Sequence, residues 1–83
     1  MIRRYQKADE IPTAEIWHRA GLDEYTYLPE FQALSEAEAR RVFREVIAAS
    51  CDIWLETSDS VIRGYIAMKG SYIDRLYVDP AHQ

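Results

Sequence analysis

The succession of hydrophobic periods along the chain predicts an α+β domain: a short strand, two helices, then a three-stranded antiparallel meander. Three observations carry that prediction. A Ser35-Glu36-Ala37-Glu38 capping box opens a stretch in which Ala39, Val42, Phe43, Val46 and Ile47 recur at three and four, the spacing of one helix face. After Ser50 the period changes from helical to alternating. Turn chemistry at Ser58-Asp59-Ser60 and Gly70-Ser71 then divides the remainder into strands. Helices early and a meander late differ from the strict βαβ alternation of a doubly wound sheet.

Taken in order, residues 2–5 read as the first strand, and Lys7-Ala8-Asp9-Glu10 as a polar break with Asp9 placed to cap a helix. Pro12 suits a first helical turn, where its missing N–H would have had no partner. A helix over 10–20 would bury Ile11, Ala14, Trp17 and Ala20, with Gly21 ending it in a left-handed conformation. The segment 22–34 has no clear period and holds Pro29, so it reads as a loop or a broken helical turn. In the capping box the Ser35 hydroxyl accepts from the Glu38 backbone while the Glu38 carboxylate reaches back. The second helix then turns its apolar stripe toward a sheet.

In the alternating region Cys51, Ile53, Leu55 and Thr57 fall on one side of a strand, with Asp52, Trp54 and Glu56 on the other. Residues 61–69 form the returning strand of an antiparallel hairpin, and 72–78 the last strand, which Pro80 stops. Trp17 and Trp54 are most simply core residues. His18 and His82 stand without a nearby nucleophile or ligand set, which suits structural or solvent roles.

The chain has 83 residues, a size that buries only about 60% of the surface the unfolded form exposes. Its 48% hydrophobic content, with ten aromatic residues, nevertheless argues for a packed core and against disorder. A net charge of −4 and a pI near 5.0 make the phosphate-backbone attraction unfavourable, so nucleic acid is not an expected partner. Arg40, Arg41 and Arg44 alternate with Glu36, Glu38 and Glu45, as on a solvated helix face. The single Cys51 forms no intrachain disulfide, and no Cys and His residues have metal-ligand spacing. No stretch has the length and apolarity of a membrane span or a signal peptide, so a cytoplasmic protein without membrane contact is expected.

The tail Leu76-Tyr77-Val78-Asp79-Pro80-Ala81-His82-Gln83 has the form Leu-x-Val-x-Pro-x-x-Gln. It resembles the opening of the acyl-coenzyme A motif of the GNAT superfamily, the Gcn5-related N-acetyltransferases. There a strand ends in this pattern and a loop Gln/Arg-x-x-Gly-x-Gly/Ala follows; Gln83 matches the first position of that loop. Gly64, within Ile62-Arg63-Gly64-Tyr65-Ile66-Ala67, matches a mid-strand glycine common in the family. The predicted element order is also that of the N-terminal half of the GNAT fold, so the resemblance spans residues 1–83 and implies a domain truncated before the pyrophosphate loop.

The resemblance implies transfer of an acetyl group from acetyl-coenzyme A to an amine by direct attack in a ternary complex. The backbone of Leu76, Tyr77 and Val78 would pair with the pantetheine arm, as amides without a partner strand take a ligand that mimics one. The same strand is otherwise an ordinary core strand, and the two roles are compatible. Gln83 would begin the phosphate cradle of successive backbone N–H groups. Some members carry the general base on the strand matching Tyr72–Val78. Tyr72 aligns with the glutamate that certain histone acetyltransferases use, but a tyrosine is a poor base at neutral pH, which makes Asp74 the substitute. Asp74 paired with Arg75 or a neighbouring loop is the competing reading. Glu24, Tyr25 and Tyr27 fall in the segment that borders the acceptor-amine site in the family, where an aromatic loop with a carboxylate suits a cationic amine. A surface loop anchored by buried tyrosines would look the same.

Two functions follow as expectations. One is an N-acetyltransferase half that is a poor enzyme alone; the other is a non-catalytic remnant acting as an interaction module through its unfinished sheet. Both imply an open edge on the last strand, where Ile73, Leu76, Tyr77 and Val78 include no lysine or proline to discourage pairing. A homodimer or higher oligomer through that strand is therefore expected. The acceptor amine is not specified, because one fold serves many substrates.

Overall fold

A computed structural model describes residues 1–78 of the chain, with side chains through Ser71 and at Ile73. The fold is α+β. Strand β1 (Ile2–Arg4) leads through a single 3-10 turn (Lys7–Asp9) into α1 (Glu10–Glu24); a short α2 (Pro29–Gln32) and α3 (Glu36–Val42) follow. Helix α3 continues as a π-helical turn over Phe43–Ala48, and β2 (Asp52–Ser58), β3 (Val61–Lys69) and β4 (Tyr72–Val78) follow. The strands form one four-stranded antiparallel sheet in the order β1-β2-β3-β4.

Alternation in β2 buries Ile53, Leu55 and Thr57 on one face, opposite Ala67, Tyr65 and Ile62 of β3. The two strands join through Asp59 and Ser60, both at positive φ (52° and 65°), the two-residue turn whose twist matches an antiparallel hairpin. Gly70, at φ 65°, makes the next turn, where an L side chain would be strained. The helices cover the buried face: Ala14, Ile16 and Trp17 of α1 and Ala39, Phe43 and Ile47 of the α3 segment join Ile53, Leu55, Tyr65 and Ala67 in one core.

The capping box forms as the sequence predicts. Glu38 N donates to Ser35 Oγ (3.1 Å) and Ser35 N donates to Glu38 Oε1 (2.9 Å). Those bonds hold the Glu38 carboxyl below the usual carboxylate range.

Elsewhere tertiary partners overrule the local reading. Helix α1 does not stop at Gly21 but runs on to Glu24, and Gly21 is a buried position inside it. A Cβ there would overlap Cζ and Cε1 of Phe31, so this glycine serves close packing and not a left-handed end. The buried face of α1 is also rotated from the predicted one: Thr13 and Ile16 are buried, Ala20 is half-buried and Ile11 is exposed. The broken turn after α1 contributes α2, whose Phe31 ring packs on Trp17 at 5.5 Å, making three helices and not two.

Asp9 does not cap α1 with its side chain. Its carboxylate accepts from Gln6 N (2.8 Å) and, through both oxygens, from the Arg3 guanidinium (2.8 Å each). The Arg3 hydrogen bonds lower the Asp9 pKa most, with the Gln6 amide adding to them against the opposing effect of burial.

Val46 leaves the predicted stripe and is exposed. In an α-helix each four-residue step overshoots a turn by about 40°. The wider π winding absorbs that overshoot and keeps Ala39, Phe43 and Ile47 on one line toward the sheet. Trp54 is not core either: it lies on the outer sheet face, 37% exposed, with the Arg4 guanidinium 5.4 Å from its ring centroid.

Two outcomes follow. Gly21→Ala should gain about 1 kcal/mol of helix propensity yet destabilise the fold by about 1–2 kcal/mol, because displacing the Phe31 ring costs more. A urea double-mutant cycle with Phe31→Leu should show that loss relieved when the ring is gone; additive effects would mean the contact is not the cause. Asp9→Asn should cost about 1–2 kcal/mol at pH 7, below the upper range for charged hydrogen bonds because the Arg3 side chain is 37% exposed and screened. Because the folded pKa of Asp9 is lowered, this stability is present above the ordinary carboxylate range and is lost as pH falls through the folded value. The difference between wild type and variant should therefore shrink on acidification, as read by thermal unfolding at several pH values.

Candidate functional site

Strand β4 pairs with β3 and stands at the edge of the sheet among the described residues. Its register runs Tyr72 opposite Lys69, Ile73 opposite Met68, Arg75 opposite Ala67, Leu76 opposite Ile66, Tyr77 opposite Tyr65 and Val78 opposite Gly64. Asp74 has no residue opposite it: it is the extra residue of a β-bulge. A bulge leaves one residue out of the ladder and bends the strand, a device common beside functional sites. A second irregularity lies between β2 and β3, where Glu56 faces Gly64 and Thr57 faces Ile62, so Arg63 is the inserted residue. Gly64 is thus buried between an inserted residue on its own strand and Val78 on β4.

The side chains of Tyr72, Asp74, Leu76, Tyr77 and Val78 lie outside the described residues, as does Gln83 altogether. What is described is the main chain of the strand that carries them, in the antiparallel pairing the sequence predicts.

At the other predicted location, α1 ends at Glu24 and the chain turns through Tyr25 and Tyr27. Glu24 is exposed and Tyr27 is 72% exposed, while Tyr25 is half-buried, so only one of the two tyrosines anchors the segment. The Tyr25 ring packs against Phe31 at 5.6 Å and against Tyr27 edge-on at 6.3 Å. Gln32 Nε2 donates to the carbonyls of Leu22 (3.0 Å) and Tyr25 (3.1 Å), which satisfies backbone acceptors at the end of α1 and fixes the turn. The result is a ledge that carries an exposed ring and, three residues earlier in the chain, an exposed carboxylate.

Between α1 and α3 lies a cleft of about 200 Å³ lined by Ile11, Ala14, Glu15, His18, Arg19, Glu36 and Arg40. His18 packs its ring against Phe31 at 6.0 Å, and its Nε2 is buried without a hydrogen-bond partner among the described residues. The sequence pattern did not point here, because acidic and basic residues spaced along two helices look like solvated surface.

Among the described residues no three His, Cys, Asp or Glu side chains gather to hold a metal, and no helix is long and apolar enough to cross a membrane. The outer sheet face bears Ile2, Trp54 and Ile73, exposed by 60%, 37% and 60%. Comparison with known protein families, with curated proteins and with solved structures finds no match to this chain.

Proposed function

We propose that this chain is the N-terminal half of a GNAT-type N-acetyltransferase domain, carrying the strand that receives acetyl-coenzyme A and the ledge that receives an amine. The observation that carries the reading is β4: an edge strand, interrupted by a bulge at Asp74, that runs into the Leu76–Gln83 sequence signature. An edge main chain suits an extended, amide-bearing ligand such as the pantetheine arm, because its outward N–H and C=O groups take a strand mimic. Leu76, Tyr77 and Val78 would supply those groups, and Gln83 the first position of the phosphate loop. Bound acetyl-coenzyme A would supply the acetyl thioester.

The protein's own groups would prepare the amine. Glu24 and the Tyr25 and Tyr27 rings favour its approach as a cation. Before attack the amine must lose a proton, and Asp74 is the group to accept it, because Tyr72, two residues earlier, is a poor base at neutral pH.

A second reading rests on the same edge and on the exposed Ile2, Trp54 and Ile73. With no strand beyond it among the described residues, β4 would recruit another copy of the chain, which makes the domain a homodimer or higher oligomer and allows a non-catalytic interaction role. Pantetheine and a second copy compete for one set of backbone groups.

A polypeptide of residues 1–83, whose glycines are Gly21, Gly64 and Gly70, would present the strand and Gln83 without the loop's glycines. Pantetheine and acetyl-coenzyme A should therefore bind it with similar affinity, on the order of 1 mM, worth about 4 kcal/mol. In an amide NMR titration the shifts should gather at residues 74–78. Shifts that avoid β4, or none with either compound, would remove the support for a cofactor strand; micromolar binding of acetyl-coenzyme A would show that the phosphates are held without the loop.

A further inference from the structure

Among the described residues the sheet has two edges, β1 and β4, and they differ in what stands beside them. Tyr5 N donates to Ile53 O (2.9 Å) and Thr57 N to Met1 O (2.8 Å), so the residues flanking β1 turn their bonding groups toward β2, and Arg3 lies in phase with them. By the alternation of an antiparallel ladder, Ile2 and Arg4 then point their N–H and C=O groups away from the sheet. The Arg4 carbonyl is already taken, since Arg3 Nη1 donates to it at 3.2 Å. The same guanidinium donates through Nη1 and Nη2 to the two oxygens of Asp9, and Gln6 N holds that carboxylate from its own side at 2.8 Å. Asp9 is only 8% exposed, so a guanidinium that swung aside would leave a buried carboxylate without its cation, the costly way to break such a pair. Arg3 is therefore held across the outward side of β1.

We propose that the Arg3–Asp9 pair is a lock on the β1 edge, which keeps a further strand from adding there and directs strand addition to β4. An added strand would need the Arg4 carbonyl and the space the guanidinium fills, and a fixed charge at a strand edge opposes pairing. What Arg3 leaves open on this three-residue strand is short, whereas β4 runs seven residues. The direction given to β4 rests on the reading of that strand above; the lock itself rests on the contacts of β1. Two copies joined at β4 would carry a locked β1 at each outer edge, so growth through sheet edges would close at two.

Sedimentation velocity and amide hydrogen exchange of residues 1–83, over a range of concentrations, test this directly. In the wild type the Ile2 and Arg4 amides should exchange freely at every concentration. Arg3→Thr should sediment as a species larger than wild type at equal concentration, with the Arg4 amide protected at least tenfold as concentration rises. Asp9→Ser, which frees the guanidinium while keeping an acceptor for Gln6 N, should act in the same direction and serves if Arg3→Thr does not fold. Ile2→Pro added to either variant should restore wild-type sedimentation, because it removes an outward N–H that the fold does not use. The lock is overturned if wild-type Arg4 becomes protected with concentration, if both variants sediment as wild type, or if Ile2→Pro leaves their larger species in place. Exchange at the outward β4 amides of the wild type reads the β4 edge separately: free exchange there removes the role given to β4, and the β1 amides still decide the lock.

Discussion

The packing of Phe43 holds the two layers together. Its side chain is fully buried, with ring centroids of Tyr5, Trp17 and Tyr65 at 6.2, 6.1 and 6.4 Å. Those three rings come from just after β1, from α1 and from β3, so one residue of the α3 segment ties α1 to the β1 end of the sheet and to β3. Truncating a buried phenylalanine costs about 3–5 kcal/mol. A domain of this length has about 4–12 kcal/mol in all, at typical values per residue. The π-helical turn that begins at Phe43 belongs to the same constraint, since it keeps Ile47 in line behind it and sends Val46 outward.

A core organised from one side leaves the other side open. Helices α1 and α3 pack on the face of Ile53, Leu55, Tyr65 and Ala67, while Ile2, Trp54 and Ile73 remain exposed and β4 has one neighbouring strand among the described residues. The helical layer makes the cleft lined by His18 and Arg40; the sheet edge makes the proposed cofactor strand. These are separate consequences of one architecture, because the charges of α1 and α3 stand away from the core and the backbone groups of β4 are left by the order of strands.

Most of the fold is legible in the sequence wherever the cause is local. The Ser35 and Glu38 cap is a contact between neighbours in the chain, and the alternation of Ile53, Leu55 and Thr57 needs only the period of a strand. Positions set by distant partners are not legible. Gly21 looks like a helix end until Phe31 is placed against it, and Asp9 looks like a cap until Arg3 reaches it across the 3-10 turn. Val46 is lost because a three-and-four spacing assumes α winding, which the chain abandons at Phe43. Trp54 is instructive, since alternation already set it opposite Ile53 and Leu55, and residue type was given more weight than period. The pairing of β4 with β3 and the turn at Tyr25 and Tyr27 follow the sequence pattern, whereas Glu24 ends α1 instead of lying in the segment after it. The α1–α3 cleft escapes because Glu15, His18, Glu36 and Arg40 converge only after the helices pack.

We propose that the edge of β4, which has no further strand beside it among the described residues, is a recognition surface which a second copy and a pantetheine arm would share. Sedimentation velocity of the 83-residue chain at tens of micromolar, with and without pantetheine at tens of millimolar, tests it most directly. The account predicts a dimer or larger species that shifts toward monomer as pantetheine is added, with outward β4 amides protected from hydrogen exchange in either bound form. A chain that stays monomeric while those amides exchange freely, or a dimer that pantetheine leaves unchanged, would contradict it.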